Sequence, residues 1–69
     1  VNNRIIEWSK NIAENYNDET QTNILEELRV ASEEMGLDFV EIDKRWQYFT
    51  AGEYVKWEDI AYLLTGKEV

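Results

Sequence analysis

Cysteine, histidine and proline are all missing from this 69-residue chain, and glycine occurs only three times. Without cysteine there is no disulfide, and without cysteine or histidine the common zinc and haem ligations are excluded. The same absences remove the usual general base, thiol nucleophile and imidazole ligand. Ser9 and Ser32 have no neighbouring pattern that suggests activation, and the sequence holds no EF-hand loop, glycine-rich phosphate loop or Glu-x-x-His unit. A pair such as Glu26 and Glu33 offers only weak, charge-driven association with Ca²⁺ or Mg²⁺. The expectation is a non-enzyme with no cofactor and no metal.

Long apolar runs are missing too. The longest uninterrupted one is Ile60 to Leu64, and the chain opens on Val1, Asn2, Asn3 and Arg4, which do not read as a targeting segment. A soluble, cytoplasmic protein is expected, with no contact to membrane. At this length there is room for one domain, residues 1–69, and one modest core, which rarely supplies more than ~3–5 kcal/mol. With disulfide and metal staples excluded, stability falls to apolar packing, for which nine aromatics are a large supply. Dimerisation is the remaining staple.

Positive charge is scarce and unevenly placed. Residues 1–17 carry Arg4 and Lys10 against Glu7 and Glu14, and residues 44–69 carry four cations against four carboxylates, so both flanks are neutral. Between Asp18 and Asp43 nine carboxylates face one cation, Arg29, which accounts for the whole formal charge of −8. Such concentration works against the compact state by self-repulsion, so it points to solubility or to a basic partner. It disfavours direct binding to nucleic acid, where each phosphate contact needs a local cation.

Hydrophobic periodicity predicts helices throughout and an all-α fold, a small bundle or orthogonal domain of three to four short helices. Ile5, Trp8, Ile12 and Tyr16 form one stripe from about Asn3 to Tyr16, widened by Ile6 and Ala13. Ile24, Leu28, Ala31 and Met35 form the next, from about Glu19 to Met35, with Asn17 or Asp18 as N-cap and Gly36 as the left-handed stop. Asp38 and Glu41 make a capping box, with Leu37 and Ile42 at staple positions, and the following stripe is Phe39, Ile42, Trp46 and Phe49. A last helix holds Trp57, Ile60, Ala61 and Leu64 and stops at Gly66. Its start is open: Thr50 to Glu53 fits a second capping box, while Glu53 to Lys56 fits a loop.

At 100° per residue with Ile24 at zero, Glu19, Asn23, Glu26, Glu27, Glu33 and Glu34 fall between about 180° and 300°, away from the core stripe. Val30 lies near 240°, in the middle of that arc. An aliphatic residue ringed by carboxylates has the composition of a binding patch, with a desolvated centre and a polar rim. The bland alternative is a solvated helix face, on which a single exposed Val needs no explanation. As a nucleic-acid mimic the face is sparse: five carboxylates from Glu19 to Glu34 span roughly 24 Å, where duplex DNA presents about fourteen phosphates. Asp18, Asp38, Glu41 and Asp43 can extend it towards partial mimicry of one strand.

Six of the nine aromatics lie between Trp46 and Tyr62. Tyr48 falls off its stripe and qualifies as an interface anchor, whereas Tyr62, between Glu58 and Asp59, is read as structural. The segment VKWEDIAYLLTGK resembles the first helix and turn of helix-turn-helix domains, which implies a DNA-reading regulator. Only Lys67, Glu68 and Val69 follow Gly66, and no Lys/Arg cluster accompanies the aromatics, so that reading ranks as an alternative. The leading expectation is a small acidic binding protein, a stoichiometric inhibitor or regulator that covers the basic surface of a nucleic-acid-binding partner, as phage and mobile-element proteins, antitoxins and immunity proteins do. Its predicted surface comprises Glu19, Asn23, Glu26, Glu27, Val30, Glu33, Glu34 and Tyr48. The other alternative is an assembly subunit whose aromatics form a homodimer seam.

Overall fold

The computed structural model describes residues 2–16, 24–49 and 55–68. Four helices follow in chain order, α1 (Asn3–Tyr16), α2 (Ile24–Met35), α3 (Phe39–Tyr48) and α4 (Trp57–Thr65), with no strand among the described residues. The all-α class read from periodicity is therefore the fold. The predicted first turn of α2, with its N-cap at Asn17 or Asp18, lies outside the described residues.

Each described boundary has a local cause. Asn2 Oδ1 accepts the backbone N–H of Ile5 at 2.9 Å, so α1 begins on an asparagine cap. At the other end of α2, Gly36 has φ +66°, and Leu37 N–H donates back to the Ser32 carbonyl at 2.8 Å, the reverse turn that satisfies a terminal carbonyl. Two residues later Asp38 caps α3, its Oδ1 accepting from Val40 N–H at 3.0 Å. The cap forms without the predicted box among the described residues: Asp38 bonds the Val40 amide and not that of Glu41, and the Glu41 side chain lies near Lys44 (3.8 Å). Three residues thus reverse the chain between α2 and α3.

The last helix starts later than a box at Thr50 would put it. Val55 and Lys56 lie outside the helix, and Lys56, which is extended, stands at the N-cap without a side-chain bond, so the loop reading holds for these two residues. Residues 50–54 lie outside the described set. What holds α4 is burial. Ile60, Ala61, Leu63 and Leu64 are all enclosed, and α4 packs on α1 more extensively than any other two helices pack together.

That packing explains two core residues the stripe did not include. Leu63 is fully buried because α4 is flanked by α3 as well as α1, which widens its apolar face, and Val55 is buried ahead of the helix. Ile12, Leu28, Ala31, Ile42 and Ile60 complete the centre as periodicity predicted. Most of the described aromatics do not enter it: Trp8, Tyr16, Phe39, Trp46, Phe49 and Trp57 are half-buried and form a shell around the aliphatic centre. Two serines are enclosed as well, Ser9 on α1 and Ser32 on α2.

The contacts close a ring. Helix α1 joins α4 and α2, and α3 joins α2 and α4, in a body of 29 × 24 × 21 Å. The α1/α2 seam and the α3/α4 seam share no helix, so they lie on opposite sides of that ring.

Candidate functional site

The described part of the acidic surface is built on α2. Its apolar stripe faces inward through Ile24, Leu28 and Ala31, which turns Glu26, Glu33 and Glu34 outward and leaves Glu27 half-buried. Val30 is exposed to 37 % and lines a shallow depression of about 130 Å³ together with Glu26, Glu27 and Trp8 of α1. Val40 is more exposed, at 63 %, but stands alone at the start of α3. Among the described residues the depression at Val30 therefore combines two apolar side chains, Val30 and Trp8, with two carboxylates.

Arg29 alters the electrostatics of this face. Its Nε donates to Glu26 Oε2 at 3.2 Å and its Nη1 to Glu33 Oε1 at 2.9 Å, while Nη2 forms a further ion pair with Glu26. The hydrogen bond from Arg29, aided by its charge, holds the Glu26 carboxyl below the ordinary glutamate value, and Glu26 in return raises that of Arg29. A second cation arrives from α1: Arg4 Nη2 donates to the Glu34 carbonyl at 3.2 Å. That places positive charge at the C-terminal end of α2, where the last turn holds two carboxylates and no basic residue of its own. The remaining cation of α1, Lys10, lies over the Trp57 ring at 5.2 Å. Charge on the face is thus partly compensated at Glu26 and Glu33 by Arg29 and near Glu34 by Arg4, whereas Glu27 beside Val30 makes no ion pair among the described residues.

The predicted set does not come together as one surface. Glu26, Glu27, Val30, Glu33 and Glu34 share α2, whereas Glu19 and Asn23 lie outside the described residues. Tyr48 is exposed to 89 %, but it belongs to the opposite seam, in a cleft of about 350 Å³ with Lys44, Arg45, Phe49 and Tyr62. Tyr62, read from the sequence as structural, is exposed to 43 % and faces the same cleft.

The wheel of α2 also leaves out Trp8, because its place on the core stripe of α1 hides that it lines the same depression as Val30. Arg29 was legible: at about 140° on the helical wheel it borders the acidic arc, three residues from Glu26 and four from Glu33. A third and larger cleft, about 550 Å³, lies between the start of α1, the Leu37–Asp38 corner and the end of α4. There Asp38 and Glu41 offset Arg45 and Lys67, and Asp38 and Arg45 already serve as helix caps. Among the described residues no group of three or more potential ligands is placed to hold a metal ion, and no helix is long and apolar enough to cross a membrane. Comparison with family models, curated proteins and solved structures yields no match.

Proposed function

We propose that this chain is a non-enzymatic binding protein that works stoichiometrically, laying the α2 face on a basic surface of a nucleic-acid-binding partner. The observation that carries the reading is the depression at Val30. A purely solvated acidic face needs no apolar lining, whereas Val30 and Trp8 supply one together with Glu26 and Glu27. Such a lining suits the aliphatic stem of a partner's lysine or arginine, whose charged head then reaches the carboxylates. Trp8 adds an aromatic ring next to that head.

The test is capture of partners from cells of the source organism with the wild-type chain and with a Val30→Lys/Glu27→Lys double variant of verified helicity. The proposal expects at least one nucleic-acid-binding protein to be retained by the wild type and lost by the variant, and its nucleic-acid complex to dissociate at one equivalent of wild-type chain. Equal recovery by both forms, or a captured protein whose nucleic-acid binding is untouched at that ratio, overturns it.

A further inference from the structure

The cleft on the α3/α4 seam is the chemical inverse of the depression on the α1/α2 seam. It is lined by Tyr48, Tyr62 and Phe49 together with two adjacent cations, Lys44 and Arg45, in a chain of net charge −8, and Arg45 is bonded to the Leu63 carbonyl. Tyr48 is nearly free of contact with the rest of the chain, although two rigid amphipathic rings on one cleft have the composition of an interface centre. We propose that this cleft receives the α1/α2 seam of a second copy of the same chain, with Lys44 opposite Glu27, which makes no ion pair of its own among the described residues, and the tyrosines over Val30 and Trp8.

Charge complementarity selects this occupant. Pairing the cleft with itself brings Lys44 and Arg45 of one copy against Lys44 and Arg45 of the other, a like-charge juxtaposition that costs binding energy. Pairing it with the acidic seam places opposite charges together. The net charge of −8 on each copy opposes association, but the centres of two docked copies stand about a molecular width apart, 21–29 Å. At ionic strength near 0.15 M that is roughly three Debye lengths of about 8 Å, so repulsion between whole molecules is screened while contact between the seams is not.

Because the two seams are on opposite sides of the ring, the contact is head-to-tail and continues into short chains of copies instead of closing as a symmetric dimer. It is also weak. A tenth of the 4744 Å² surface is on the order of 500 Å² per copy, below the roughly 800 Å² of a stable interface. The inference uses the α1/α2 seam but does not depend on that seam having a foreign partner, and it is tested on the pure chain.

The experiment is sedimentation of the purified protein at about 0.15 M salt and concentrations up to about 1 mM, high enough to populate a contact of sub-millimolar affinity. Wild type is expected to rise above its monomer mass of 8.2 kDa with concentration. Lys44→Glu, Glu27→Lys and Tyr48→Ser are each expected to stay monomeric. An equimolar mixture of Lys44→Glu and Glu27→Lys is expected to associate again, since a wild-type cleft then meets a wild-type acidic seam. Tyr48→Ser guards against misfolding, because that ring is almost wholly exposed. A wild type that remains monomeric at every concentration overturns the inference. So does a Glu27→Lys variant that associates like wild type, the mark of a symmetric aromatic seam.

Discussion

The guanidinium of Arg45 lies across the end of α4 and donates from Nη1 to the Leu63 carbonyl at 2.7 Å. That carbonyl is one of the last in its helix, where backbone acceptors lack intrahelical partners and the dipole is negative. A side chain from α3 therefore completes the end of α4, eighteen residues away in sequence. Gly66 leaves room for this placement, since any added Cβ would make the guanidinium shift. A Cβ there would stand 2.8 Å from Arg45 Nη2, and its φ of +75° already favours glycine.

Arg45→Ala is expected to cost about 1–2 kcal/mol by urea denaturation, the value of a charge-assisted bond at a helix terminus. Gly66→Ala is expected to cost more than Gly36→Ala, although both glycines have positive φ, because only Gly66 is overlaid by another side chain. The left-handed strain alone is about 1–2 kcal/mol. In a double-mutant cycle the Gly66→Ala cost shrinks when Arg45 is already alanine. Additive costs would show that the guanidinium does not occupy this place.

Ser9 and Ser32 are both enclosed but differ in satisfaction. Ser32 Oγ donates to the Arg29 carbonyl at 2.7 Å, whereas Ser9 Oγ has no hydrogen-bond partner among the described residues. Ser9→Ala removes a desolvated hydroxyl and is expected to leave stability unchanged or raise it by up to about 1 kcal/mol, while Ser32→Ala loses roughly 0.5–1.5 kcal/mol. Thermal melts of the two variants rank them. A strongly destabilised Ser9→Ala would mean that the hydroxyl is bonded in solution.

Removing the Asp38 side chain tests the corner between α2 and α3. Asp38→Ala deprives Val40 N–H of its acceptor and is expected to cost about 1 kcal/mol, whereas Asp38→Asn or Asp38→Ser keeps most of the cap. Amide exchange in the first turn of α3 should accelerate in the alanine variant alone.

The Arg29–Glu26 pair predicts a pH dependence. Because the folded-state value of Glu26 lies below its unfolded one, the pair favours the folded chain above the ordinary glutamate range, and that contribution fades as pH falls through the lowered value. Carboxyl chemical shifts should give Glu26 a midpoint below 4.5, and Arg29→Gln should move it back up. An unchanged midpoint in Arg29→Gln would mean that the pair does not persist in water.

Helix type and the inward stripes were legible because one-sided burial leaves a 3.6-residue period, as Ile5, Ile12, Leu28 and Ile42 show. Gly36, Asp38 and Gly66 were legible because their backbone roles are local. Leu63 and Val55 were not, since the first is buried only because α4 has neighbours on two sides and the second lies outside any helix. At the proposed surface the carboxylates and Val30 could be read from one helical wheel. Trp8 came from another helix, and the placing of Tyr48 and Tyr62 on one cleft depends on how α3 lies along α4.

Packing between the first and last helices sets the order in which the molecule can be made. During synthesis α1 emerges with Ile5 and Ile12 uncovered, and the helix that covers most of it, α4, is made only after α2 and α3. Local caps can start the early helices, yet short isolated helices are marginal in water, and α4 has no side-chain cap of its own. A nascent chain lacking Trp57–Thr65 is therefore expected to expose the core face of α1 and to be handled by chaperones and proteases as an incomplete fold.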